Sequence, residues 1–125
     1  LRLAEAQGSA DAMYMLADLH LYGDRESGLQ PDAPLALRYY LDAGEAGPHS
    51  EALCSAAAMF FHGLGTNEGI SARERLKRAY ELYQQAVDAD SDNKEAWRNL
   101  ASCYYHGHGV QKDVKLARYI LKTVL

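Results

Sequence analysis

One pattern recurs three times along this chain, and a unit of that size must stack on copies of itself to bury its apolar face. Ala12-Met13-Tyr14-Met15-Leu16-Ala17 leading to Gly23 returns as Ala52-Leu53-Cys54-Ser55-Ala56-Ala57 leading to Gly63, and as Ala96-Trp97-Arg98-Asn99-Leu100-Ala101 leading to Gly107. Each copy reads as a helix ended by a glycine stop. Behind each glycine lie a polar loop and a second helix with small and large residues at offsets of four and three: Ala36-Tyr40-Ala43, Ala79-Tyr83-Ala86 and Ala117-Leu121-Val124. Those offsets mark one helical face. The fold expected is all-α, an α-solenoid of three antiparallel helix-pair repeats.

The step from glycine to second-helix alanine is 13 residues in the first copy, 16 in the second and 10 in the third. Length varies in one equivalent loop, where a solenoid tolerates insertion without losing helix contacts. The repeats are read as residues 9–47, 48–90 and 91–125, with 1–8 as the end of a preceding repeat. The opening without Met and the apolar run Leu116 to Leu125 read as a fragment of a longer protein, with self-association through exposed terminal repeats as one consequence. Within the copies, helix starts are expected at Pro34, at Ser71 with Glu74, at Asp92 with Glu95 and at Asp113. Trp97 is expected to wedge between the second and third copies as a buried anchor.

The 125 residues suit one domain, and 48% apolar with 24% charged residues is ordinary for a globular chain. No apolar run approaches the length of a membrane span and no leader is recognisable, so direct membrane insertion is not expected and localisation stays open. The net charge of -4 is uneven: residues 1–62 carry three Lys/Arg against nine Asp/Glu, and residues 63–125 carry ten against eight. An acidic total without a basic stripe argues against nucleic acid. The acidic half suits a basic peptide or is a solvated face. Cys54 and Cys103 fall five positions apart once the copies are aligned, about 7.5 Å along a helix axis, so two free thiols are expected rather than a bridge.

The third copy, Ala96-x-x-x-Leu100-Ala101-x-x-Tyr104-x-x-Gly107-His108-Gly109-Val110-x-x-Asp113-x-x-Leu116-Ala117, resembles a Sel-one-like repeat, a branch of the tetratricopeptide-like superfamily. Copy one has His20 where Tyr is usual and only Gly23 in its loop; copy two has Phe60 and Gly63-Leu64-Gly65. The resemblance implies an adaptor or scaffold that binds a protein or peptide partner in a concave groove, without catalysis and without a cofactor. The alternative it implies is a regulatory or substrate-docking segment of a larger enzyme or quality-control complex. By the same resemblance the groove is lined by one face of each first helix: Asp11, Tyr14, Asp18, Leu21 and Tyr22; Glu51, Cys54, Ala58, Phe61 and His62; Glu95, Arg98, Ser102, Tyr105 and His106.

Aromatics on that face offer large contact area at little rotamer cost, unless superhelical twist buries them between repeats. His62, His106 and His108 do not make a ligand set with metal-site spacing, so no metal is expected. Gly63-Leu64-Gly65 follows a helix and not a strand, which excludes a dinucleotide fingerprint. No nucleophile elbow or phosphate loop occurs. Arg73, Arg75, Lys77 and Arg78 open a helix, against the macrodipole, either as a solvated face or in answer to an anionic partner.

Overall fold

In the computed structural model, which describes the backbone of residues 2–124 and the side chains of 8–124, each glycine stop ends a helix and the faces Ala36-Tyr40-Ala43 and Ala79-Tyr83-Ala86 are buried, whereas in the third copy Ala117 is buried with Ile120 and the expected Leu121 is 43% exposed. The order is α1 (Arg2–Tyr22), α2 (Ala33–Ala46), α3 (Ser50–His62), α4 (Ala72–Ala89), α5 (Lys94–His106) and α6 (Val114–Val124). The helices pack as three pairs, α1 with α2, α3 with α4 and α5 with α6, and the pairs join through α2 on α3 and α4 on α5. This is an all-α solenoid. Among the described residues the extended pairing is limited to a single bridge between Asp24 and Leu29 in the first loop.

The caps follow the sequence closely. Asp32, Ser71 and Asp113 each accept a hydrogen bond from the backbone N–H three residues on, at 3.1, 3.1 and 3.0 Å, satisfying a donor that the first turn leaves without a partner. Two starts differ. The cap of α5 is Asn93 and not Asp92: its Oδ1 accepts from Ala96 N at 3.1 Å, while its Nδ2 donates to Ser50 Oγ at 2.8 Å. Asparagine wins because it can donate to the buried Ser50 hydroxyl as well as cap, which a carboxylate cannot. Helix α1, in turn, runs unbroken through Gly8 and Ser9, where a junction with a preceding repeat was expected. One interior glycine costs about 1 kcal/mol in a helix, too little to break a stretch of Ala, Leu, Glu and Gln. Leu1 lies outside the described residues.

Among the described residues, twelve of the 23 buried apolar ones are alanine, so helices meet nearly backbone to backbone and Tyr40, Leu82 and Leu100 fill the remaining gaps. The tightest contacts cross from repeat to repeat. A Cβ on Gly65 would stand 2.5 Å from Ala33 O, and one on Gly109 would stand 2.2 Å from Leu76 O. Both glycines have φ above +70°. Each G-x-G loop therefore seats its second glycine on the start of the preceding repeat's second helix, and that contact sets the register between repeats.

Trp97 is less central than expected. It is half-buried against the core, and its Nε1–H donates to Ser91 O at 2.8 Å, closing the α4–α5 turn. Copy two closes its long loop differently from its neighbours. Asp32 N and Asp113 N donate to the carbonyls of His20 and Tyr104, whereas in copy two Arg75 Nη1 reaches Phe60 O and Phe61 O at 3.0 and 3.1 Å. A guanidinium suits the negative end of α3.

Two glycine substitutions separate register from backbone conformation. Gly28 has φ +78° with open space around its Cβ position, so Gly28→Ala should cost about 1 kcal/mol, the left-handed penalty alone. Gly109→Ala adds a collision with backbone and should cost about 3 kcal/mol or more. Equal losses in urea melts would contradict the assigned role of Gly109.

Candidate functional site

Helices α1, α3 and α5, the first helices of the three repeats, present one surface, which holds a cleft of about 440 Å³. Tyr14 of α1 walls one side. Glu51, Cys54, Ser55 and Ala58 of α3 form the floor, and Asp90, Asp92, Asn93, Lys94 and Glu95 from the α4–α5 turn and the start of α5 form the far side. Glu51, Asp90, Asp92 and Glu95 face a single Lys94, so the cleft is strongly acidic.

The Tyr14 ring is fixed by its neighbours, with its centroid 4.7 Å from His49 and 5.8 Å from Tyr40. His49 is itself held at both nitrogens. Its Nδ1 accepts from Ala52 N at 3.0 Å, capping α3, and its Nε2 lies 3.0 Å from Asp11 Oδ1. The cap requires an unprotonated Nδ1, so the ring carries its proton on Nε2 and donates it to Asp11. Burial, followed by the carboxylates of Asp18 and Glu51, holds the Tyr14 phenol above its ordinary value. Ser50 Oγ donates to Ala86 O at 2.7 Å while accepting from Asn93, which locks the start of α3 to the end of α4 and the cap of α5. The cleft is thereby built from three rigid helix ends.

A second, smaller cleft of about 240 Å³ continues along the α3–α5 seam, lined by Phe61, His62, Tyr83, Asn99, Ser102 and Cys103. Beyond it an aromatic chain runs from Phe61 to His108 at 5.3 Å and from His108 to His106 at 5.2 Å, with Tyr105 edge-on to His106 at 4.9 Å. The residues expected to line one groove thus divide. Tyr14 and Glu51 meet in the acidic cleft with Asp11 at its rim; Phe61, His62, Tyr105 and His106 gather at the opposite helix ends. Asp18 is committed elsewhere, since its carboxylate accepts from the Tyr40 hydroxyl. Tyr22, 75% exposed, borders the first loop beside Gly23 and Pro31, and Arg98 is exposed outside these clefts.

Sequence reasoning did not place Asp90, Asp92 and Lys94 in the site. Its groove face was confined to helices, and these residues come from the turn. The acidic run Asp88 to Asp92 just ahead of a first helix was the available signal.

Among the described residues no group of three or more His, Cys, Asp or Glu side chains could hold a metal ion, and no helix is long and apolar enough to cross a membrane. The repeat model for Sel1 matches residues 10–48, 50–91 and 95–122. The chain belongs to the Sel1 repeat family. Sel1 repeats are in general protein-interaction modules and typically non-catalytic. Similar solved structures include a protective antigen of uropathogenic Escherichia coli with an SLR fold, at 26% identity and TM-score 0.76 over 94% of this chain. A Sel1 repeat protein from Oxalobacter formigenes shares the fold at 24% identity and TM-score 0.76 over 97% of this chain. The chain spans 23% and 45% of the lengths of those two proteins. No curated protein matches it.

Cys54 and Cys103 are both free and buried. Burial, then Glu95, push the Cys54 thiol up to about 12, and burial pushes that of Cys103 up to about 11, each from an ordinary 9.0. The folded chain thus holds neutral thiols where the unfolded chain would ionise them, and the buried phenols of Tyr40 and Tyr83 and the half-buried one of Tyr104 shift in the same direction. That stability is complete below the unfolded value of 9.0 and is lost as pH rises toward 11 to 12. Melting temperature should fall across this window, and less steeply in Cys54→Ala. A midpoint flat with pH above 9.0 would contradict the burial of these groups.

Proposed function

We propose that this Sel1 repeat chain is a non-enzymatic adaptor module that binds a basic peptide or protein segment along the seam of α1, α3 and α5. The observation that carries the reading is the cleft at Tyr14, where four carboxylates face one lysine across a rigid aromatic wall. A lysine or arginine side chain entering there would lie against the Tyr14 ring and beside Glu51 and Glu95, gaining cation–π and charge-assisted contacts in a partly desolvated site. The smaller cleft at Phe61 and His62 continues the track and would take an adjoining apolar side chain. Long-range attraction from the acidic half would speed the encounter.

Reversing Glu51 and Glu95 to Lys should weaken binding of a lysine-rich peptide at low salt by about tenfold or more and flatten its salt dependence. Tyr14→Ala should cost about 1 kcal/mol or more of binding. Asp18→Asn is a poor test of binding, because that carboxylate serves Tyr40. Affinity for the basic peptide unchanged by the Glu51/Glu95 reversal, in a protein with native helicity, would refute the reading.

A further inference from the structure

The four cations that open α4 do not share one role. Arg75 is spent on the carbonyls ending α3, and Arg78 lies over the Phe60 ring at 5.8 Å and 3.8 Å from Glu81. Arg73 and Lys77 are different. Both are exposed, neither has a salt-bridge partner among the described residues, and both line a cleft of about 730 Å³ between α4 and the α5–α6 loop. Leu76 and Val110 give this cleft an apolar floor, and Gln111 adds an amide at its edge. Of the nearby carboxylates, Asp113 is occupied in capping α6, and Glu74 sits at the capped first turn of α4.

Solenoid packing does not require positive charge here. Gly65 seats on Ala33 and Pro34 as Gly109 seats on Leu76 and Lys77, so the two junctions are equivalent. At the first junction Pro34 stands where Lys77 does, and Gln30 where Arg73 does. The cations are therefore particular to the second junction, and they sit where positive charge opposes the α4 macrodipole. Lys77 and Asp90 are 13 residues apart in sequence, about 20 Å along a helix, so this cleft lies at the far end of α4 from the acidic one.

We infer that the cleft between α4 and the α5–α6 loop is a second docking surface, for an acidic polypeptide segment that places carboxylates on Arg73 and Lys77 and an apolar side chain on Leu76 and Val110. It does not rest on the reading of the acidic cleft. Two cations without acidic partners over an apolar floor complement such a segment in both charge and polarity.

The test uses the whole chain with a fluorescent glutamate-rich peptide containing leucine, alongside its lysine-rich counterpart, followed by anisotropy at low and high salt. The glutamate-rich peptide should bind, weaken with salt, and lose about tenfold or more in affinity on R73E/K77E. It should be indifferent to Glu51→Lys and Glu95→Lys, which act at the other site. Circular dichroism of each variant confirms native helicity; if R73E/K77E does not fold, Arg73→Gln with Lys77→Gln should give a smaller loss in the same direction. Three results would overturn the inference: no binding of the acidic peptide, binding unmoved by both pairs of substitutions, or a single-stranded oligonucleotide binding more tightly than the peptide. Concentration-dependent dimerisation abolished by R73E/K77E, with no peptide binding, would assign the cleft to a second copy of this chain and equally overturn it.

Discussion

Backbone approaches backbone throughout this molecule, and the rest follows from that constraint. Alanine lines the helix contacts of all three repeats, and Gly65 and Gly109 sit so close to the preceding repeat that a Cβ would strike its backbone. Close-packed interiors of this kind have few ways to shift. A junction seated on main-chain atoms fixes the angle between repeats more firmly than interdigitated side chains would. The clefts are consequences of that rigidity, because each is walled by helix ends whose positions the junctions dictate.

The fold was legible because its signals were local and repeated. Glycine stops, capping side chains and the four-and-three spacing of small residues each act within one or two helical turns, and three copies in register reinforce one another. Helix α4 runs from Ala72, directly after the Ser71 cap that the pattern marks. Reading failed where a local signal met a nonlocal partner. Asp92 and Asn93 are both good caps in isolation, and the choice was made by the Ser50 hydroxyl, 43 residues away in sequence. Trp97 looked like a core anchor by position, yet its indole N–H found the turn carbonyl of Ser91.

The site was legible in part for the same reason. One face of each first helix could be traced by periodicity, and that face does supply Tyr14, Glu51 and Cys54 to a single cleft. Periodicity has no means of showing that Asp18 is engaged by Tyr40, or that the α4–α5 turn folds over the seam and brings Asp90 and Asp92 with it. Both depend on contacts between elements. In three dimensions Asp90, Asp92 and Glu95 join Glu51 in an acidic cleft at one end of α4, while Arg73 and Lys77 make a basic one at the other.

The central claim is that partner binding belongs to the seam of the first helices. Amide chemical shifts recorded while a lysine-rich peptide is titrated into the whole chain test it most directly. The account predicts perturbations that begin at Tyr14, Glu51, Ser55 and Glu95 and extend along the seam toward Phe61 and Ser102. Perturbations confined to the loops after Gly23 and Gly63, with the seam silent, would contradict it.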